Sequence, residues 1–182
     1  MSELIRVLYI DDNPADLELV CAALEKKHGG FKVTTAATRQ QFETYLHQDT
    51  FDLVLSDFNI LGYTGLEVLG EVQKYLPLLP VVLVTGTGSE EIAIEALKSG
   101  AADYVIKTSD HIKRLPYTLL SVLEGKRLQL ETTQTQEKLL RSEERLKLAL
   151  SGADLGMWDW NLVTDELTVD HRWVEMLGYR LG

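Results

Sequence analysis

Between Leu4 and Lys107 the chain repeats one pattern five times: a short run rich in β-branched and aliphatic residues, then a longer stretch with helical spacing. The runs are LIRVLYI (Leu4–Ile10), FKVTTAA from Phe31, FDLVLSD (Phe51–Asp57), PVVLVT (Pro80–Thr85) and DYVIK (Asp103–Lys107). PVVLVT is nearly unbroken in apolar character, as strands covered on both faces are. Strands alternating with helices predict an α/β fold, a five-stranded parallel doubly wound sheet with helices on both faces.

The intervening stretches carry their own start and stop signals. Pro14 suits a helix first turn, and Leu17, Val20, Cys21 and Leu24 continue it as an apolar stripe. Thr38 with Gln41, and Thr64 with Glu67, have capping-box spacing ahead of Phe42, Tyr45 and Leu46 and of Leu66, Leu69 and Val72. Ser89 opens a helix bearing Ile92, Ile94, Ala96 and Leu97 that closes at Gly100; another begins near Leu115, with Pro116 in its first turn. Cys21, the single cysteine, reads as a core residue, and no disulfide or CxxC metal pair is available.

Charge narrows the partners. With 18 Lys+Arg against 28 Asp+Glu, the net charge of −10 opposes attraction to a phosphate backbone, so no nucleic-acid partner is expected. No apolar stretch reaches the roughly 18 residues of a membrane span, and the N-terminus lacks a secretory layout, so the expectation is a cytoplasmic chain with no membrane partner.

In an open parallel sheet, side chains at the carboxyl ends of the strands meet in one crevice. The sequence places Asp11 and Asp12 after the first strand, Asp57 at the end of the third, Thr85 at the end of the fourth and Lys107 at the end of the fifth. Three carboxylates there repel one another unless a divalent cation sits among them, and an all-oxygen set suits Mg²⁺. A lysine and a threonine hydroxyl opposite them suit phosphoryl oxygens, with one carboxylate as nucleophile. Asp57, alone at the end of the central strand, is the candidate nucleophile, and the Asp11–Asp12 pair is placed to hold metal. Taken singly, Asp12 would equally serve as a helix cap before Asn13-Pro14.

Through about residue 125 the chain resembles the response-regulator receiver domain of two-component signalling. The resemblance rests on Asp11-Asp12, Ser56-Asp57, GLEVL (Gly65–Leu69), Thr85-Gly86 and ALKSGAADYVIK ending at Lys107. It implies a flavodoxin-like fold and Asp57 as phosphoacceptor, with a sensor histidine kinase or phosphotransfer protein as donor. It also implies Mg²⁺ held by Asp12, Asp57 and the Asn59 main-chain carbonyl, and by Asp11 through water. Lys107 would contact the phosphoryl oxygens, with Thr85 as the switch hydroxyl and Tyr104 as the switch aromatic. Asn59 and Thr87 would flank the phosphate and tune its lifetime. Leu61 and Thr108 stand where the family commonly has proline, so a looser loop is expected after Lys107. Such a module is not a turnover enzyme, although Asp57 would mediate its own phosphorylation and hydrolysis. Two other readings compete: a phosphate-independent receiver used as a dimerisation scaffold, and an aspartyl-phosphate phosphatase, which would want an acid where Asn59 stands. No histidine-phosphorylation motif surrounds His28, His47, His111 or His171.

Residues 126–150 are polar and helix-prone, with Leu128, Leu139, Leu146 and Leu150 spaced along them. They read as a helical linker, a weak coiled coil softened at Thr132–Gln136. From Glu144 to Tyr179, RLKLALSGADLGMWDWNLVTDELTVDHRWVEMLGY within it resembles the start of a PAS domain, and 151–182 is expected to be a truncated PAS-like segment whose hairpin docks on the linker helix or on a partner chain, or else belongs to a longer protein. Trp158, Trp160 and Trp173 are too many aromatics for a lone hairpin to bury. A homodimer through the helix from about Leu115 to Leu150 would cover them.

Overall fold

A computed structural model describes residues 4–28, 30–86, 90–152 and 155–179. The chain divides into two compact units, 1–128 and 129–182. In the first, β1 (Ile5–Ile10), α1 (Pro14–His28), β2 (Phe31–Ala36), α2 (Arg39–Gln48) and β3 (Leu53–Asp57) lead into two short strands, β4 (Asn59–Ile60) and β5 (Tyr63–Thr64). Then come α3 (Gly65–Tyr75), β6 (Val81–Thr85), α4 (Glu90–Lys98), β7 (Asp103–Ile106) and the start of α5 (Ser109–Gly152). The main sheet has the order β2-β1-β3-β6-β7, and every pairing in it is parallel. β3 is therefore central, and the five-stranded α/β expectation holds.

Strand alternation sorts the core into two layers. From β1, Leu8 and Ile10 pack with Phe42 and Leu46 of α2, Val68, Leu69 and Val72 of α3, and Ala96 of α4. Val7 and Tyr9, offset by one residue, pack with Val20 and Leu24 of α1 and with Ile112, Leu115 and Leu119 of α5. Helices thus cover both faces, which explains why the central strands are buried at every residue.

Helix boundaries follow local chemistry, with three departures from the sequence reading. Thr64 and Glu67 form a complete capping box on α3. On α2, Thr38 accepts from the Gln41 N–H at 3.3 Å, but the Gln41 side chain accepts from Ala37 instead of closing the box on Thr38. The last helix begins at Ser109, six residues before Leu115, so Pro116 lies inside it. Thr108 is the reason: its hydroxyl accepts from the His111 N–H and its carbonyl takes the Ile112 N–H at 2.9 Å. An interior proline costs about 3 kcal/mol, and burying Ile112, Leu115 and Leu119 at about 2 kcal/mol each exceeds that. Cys21 is half-buried and outside both core layers, and Ile94 and Leu97 on α4 are about half exposed, at 47% and 49%. Ser89 and Thr87 lie outside the described residues.

The second unit holds the rest of α5, an antiparallel hairpin of β8 (Trp158–Asn161) and β9 (Glu166–Val169), and α6 (His171–Met176). Asp165 closes the hairpin turn at a positive φ of 57° and accepts from the Trp160 indole N–H at 3.1 Å. Asp170 caps α6 by accepting from the Trp173 N–H at 2.8 Å. Trp158, Trp160, Leu167 and Trp173 line one shallow apolar recess of about 370 Å³. Trp158 and Trp160 remain 58% and 50% exposed.

Gly65 shows how tightly α3 is set against the end of β3. A Cβ there would lie 2.8 Å from the Asp57 carbonyl oxygen and 3.0 Å from a Leu83 methyl, whereas one on Gly70 would meet nothing within 4 Å. Gly65→Ala is expected to lower stability by about 2 kcal/mol and Gly70→Ala to raise it by about 0.5–1 kcal/mol, read from urea midpoints. Equal effects at the two positions would contradict this packing.

Candidate phosphoacceptor site

The carboxyl ends of β1, β3, β6 and β7 deliver Asp11, Asp57, Thr85 and Lys107 to one edge of the sheet. All of their strands are parallel and in register: Ile10 pairs with Ser56, Asp57 with Val84, and Thr85 with Ile106. Lys107 is fixed at its backbone, its N–H donating to the Thr85 carbonyl at 2.6 Å, while the Thr108 N–H donates to Ile106 at 2.8 Å. Those bonds run through the segment where Thr108 replaces the family's common proline.

Lys107 is the hub. Its Nζ lies 2.6 Å from Asp11 Oδ2, 2.7 Å from Asp16 Oδ2 and 2.9 Å from Asp57 Oδ1, with only 5% of the side chain exposed. Burial alone would lower the lysine pKa, but the hydrogen bonds to Asp11, Asp16 and Asp57 outweigh it and hold the ammonium above its usual range. For Asp57 the balance runs the other way. Burial raises its carboxyl above the usual range, against the hydrogen bond and charge of Lys107, and the neighbouring Asp11 adds to the rise.

Asp11 is fully buried and well satisfied. Besides Lys107 it accepts from the Tyr9 hydroxyl on Oδ2 and from the Asn13 N–H at 2.9 Å on Oδ1. Burial first, and the hydrogen bond to Asp11 second, push the Tyr9 phenol far above its ordinary value, so it serves as a donor. Asp12 is exposed and accepts from the Leu61 N–H at 3.3 Å. It does not cap α1. Asn13 does, accepting from the Ala15 N–H at 3.0 Å, and this leaves Asp12 to face the site.

Carboxylate oxygens of Asp11, Asp12 and Asp57 all lie within 4.8 Å of one another. Hard oxygen donors at that spacing could hold a small divalent cation. Asp11 already accepts from three donors, whereas Asp12 accepts from the Leu61 N–H. Asn59 sits on β4, two residues past Asp57. Thr85 is fully buried. Tyr104 is half-buried on β7, packs against the α2–α4 layer, and keeps a buried hydroxyl without a hydrogen-bond partner. It borders a cleft of about 620 Å³ lined also by Glu90, Ala93, His111 and Arg114.

Two participants escape sequence reasoning. Asp16 looks like an ordinary acid in a helix first turn, where the dipole favours it. Nothing in its local spacing ties it to the acids at the strand ends, because Asp12 lies before the Asn13 cap and outside α1. Tyr9 reads only as a core aromatic in the strand pattern.

The response regulator receiver domain family model matches residues 7–116. The transcriptional regulatory protein ZraR of Klebsiella oxytoca is 36% identical over 126 residues, covering 69% of this chain and 28% of that protein. The alginate biosynthesis transcriptional regulatory protein AlgB of Pseudomonas putida is 36% identical over 102 residues, covering 56% of this chain and 22% of its own length. The chain thus spans about a quarter of the length of these relatives. Among solved structures, a CheY-like receiver domain protein from Methanospirillum hungatei JF-1 superposes with a TM-score of 0.62 at 28% identity, over 70% of this chain and 99% of that one. NtrX from Brucella abortus, solved with ADP, gives 0.65 at 29% identity over 71% of this chain and 29% of its own.

The raised Asp57 carboxyl makes a stability prediction. A group whose folded pKa exceeds its unfolded value contributes stability that is complete below the ordinary value, here 3.8, and is lost as pH rises through the folded value. At neutral pH the ionised Asp57 therefore costs stability. Asp57→Asn is expected to be more stable than wild type by about 1 kcal/mol at pH 7 in chelator, with the gap closing in acid and narrowing when Mg²⁺ is added. Urea unfolding at several pH values measures it; a gap independent of pH would refute the cause given.

Proposed function

The chain belongs to the response regulator receiver domain family, and we propose that Asp57 accepts a phosphoryl group from a sensor histidine kinase or phosphotransfer protein in an Mg²⁺-dependent step. The observation that carries this reading is one buried ammonium, Lys107, in contact with Asp57 at the end of the central strand and with Asp11 beside it. The phosphatase alternative loses support from Asn59, which offers no acid two residues beyond the nucleophile.

A carboxylate oxygen of Asp57 forms the new bond to phosphorus as the phosphorus–nitrogen bond of the donor imidazole breaks, and the imidazole nitrogen keeps the electron pair. Asp12, Asp57 and the Asn59 carbonyl would hold Mg²⁺ directly and Asp11 through water; bound there, the ion supplies positive charge for the phosphoryl oxygens. Lys107 supplies the matching charge from the β7 side, and the Thr85 hydroxyl donates to the phosphoryl group. Tyr104 has an unpartnered hydroxyl and a cleft beside it, so it has both a reason and the room to move when Thr85 shifts.

We assign residues 1–125 to the receiver, 126–150 to a helical linker and 151–182 to the opening of a PAS-like domain, toward which the response at α5 is passed. Leu139 and Leu146, seven residues apart on one face of α5, are 61% and 55% exposed, and this supports a homodimer through that helix.

Acetyl phosphate or a phosphohistidine donor with Mg²⁺ is expected to place one hydroxylamine-labile phosphate on the wild type and none on Asp57→Ala or in chelator. Equal labelling of Asp57→Ala overturns the assignment. Thr85→Ala is expected to accept phosphate while NMR shifts at Tyr104 are lost. In sedimentation velocity, the chain is expected to run as a dimer at micromolar concentration and a version ending at Gly125 as a monomer; two monomers exclude association through the linker helix.

A further inference from the structure

Lys107 has three N–H bonds and three carboxylates around it, at 2.6, 2.7 and 2.9 Å. Every proton of the ammonium is engaged, so it can meet a phosphoryl oxygen only by weakening a contact it already makes. The three acids differ in what they lose when released. Asp11 is fully buried and held by Tyr9 and Asn13, and Asp57 is the residue that would carry the phosphoryl group. Asp16 has 28% of its side chain exposed, and water can replace the lysine there.

We propose that Asp16 is a positioning residue that competes with the phosphoryl group for Lys107. In the resting protein it draws the ammonium toward α1 and cancels part of the charge that Asp57 would otherwise receive. The same negative charge has opposite effects on the two ligands of the site. It favours a divalent cation among Asp11, Asp12 and Asp57, and it opposes a dianionic phosphoryl group on Asp57. Asp16 thereby makes the site readier for metal and more reluctant toward phosphate than the three acids at the strand ends would be alone. A purely structural role for Asp16, as a first-turn acid on α1, would move both affinities in one direction or neither.

This inference rests on the phosphoacceptor reading, and the experiment separates the two. Beryllofluoride, a phosphoryl analogue, is titrated in saturating Mg²⁺ and followed by ¹⁹F NMR, and Mg²⁺ alone is titrated by calorimetry, on wild type, Asp16→Asn, Asp16→Ala, Asp16→Glu and Asp57→Asn. Asp16→Asn is expected to bind beryllofluoride about fivefold more tightly and Mg²⁺ several-fold more weakly, a size set by one partly exposed charge near the site. Asp16→Glu is expected to stay near wild type. Asp16→Ala, neutral and favourable in a helix, is expected to match Asp16→Asn and guards against an effect of the amide itself. If wild type fails to bind beryllofluoride, or Asp57→Asn binds it equally, the phosphoacceptor reading falls and this inference with it. Normal wild-type binding with an unchanged or weaker Asp16→Asn overturns the role of Asp16 alone.

Discussion

In the first unit, one buried ammonium among carboxylates is the interaction that the rest of the site depends on. Lys107 follows the last strand of the sheet, Asp11 follows the second strand in spatial order and Asp57 ends the third, so the contacts among them tie together strand ends that are about 50 to nearly 100 residues apart in sequence. A single lysine cannot neutralise four nearby acids, Asp11, Asp12, Asp16 and Asp57. Negative charge is costly where the acids are buried, at Asp11 and Asp57, and burial is visible in the raised Asp57 carboxyl. The structure keeps the arrangement because packing elsewhere holds it in place. β1, β3 and β6 are buried on both faces by two separate apolar layers, and those layers fix the register that brings the acids together.

The division of labour among adjacent residues follows from the same geometry. Asp11 continues the alternation of Val7 and Tyr9 and lies buried, where it takes hydrogen bonds from Tyr9, Asn13 and Lys107. Asp12, one residue on, is exposed. Two neighbouring carboxylates thus occupy different dielectric environments. One is locked into the protein's own hydrogen-bond network, and the other is open to a solvent-borne ion. Asn13 completes the arrangement by capping α1, a task that Asp12 could otherwise have taken.

Much of this was legible in the sequence because the signals were joint ones. Each acid, threonine or lysine at a strand end has an ordinary explanation, yet Asp11, Asp12, Asp57, Thr85 and Lys107 sit at corresponding ends of alternate elements, and a parallel sheet admits one place for them all. What could not be read depended on tertiary contacts. Asp16 has the local signature of a helix first-turn acid, and only the path of Lys107 across the sheet makes it part of the site. Tyr9 has the signature of core. The start of α5 was misplaced because Pro116 is a strong local signal, whereas the Thr108 cap and the burial of Ile112, Leu115 and Leu119 depend on what the helix packs against. The half-buried Cys21 on α1 fails as a core residue for the same reason: apolar character shows that a residue can be buried, and its neighbours decide whether it is.

The second unit shows the opposite balance between local and tertiary structure. Its turn and cap are locally complete, with Asn161 and Asp165 satisfying the hairpin and Asp170 the start of α6. Only Val174 is buried among its described residues, while Trp158 and Trp160 face an open apolar recess. Hydrogen bonding of that kind defines a shape but contributes little net stability, about 1 kcal/mol per bond, because water supplies the same bonds to the unfolded chain. Apolar burial has to supply the rest, and in this unit the large aromatics that would supply it are still half in water. The receiver unit has a closed core and an unbalanced charge cluster; the second has balanced polar caps and an open core. Counter-charge is scarce at the carboxylates of the first, and apolar cover is scarce over the tryptophans of the second.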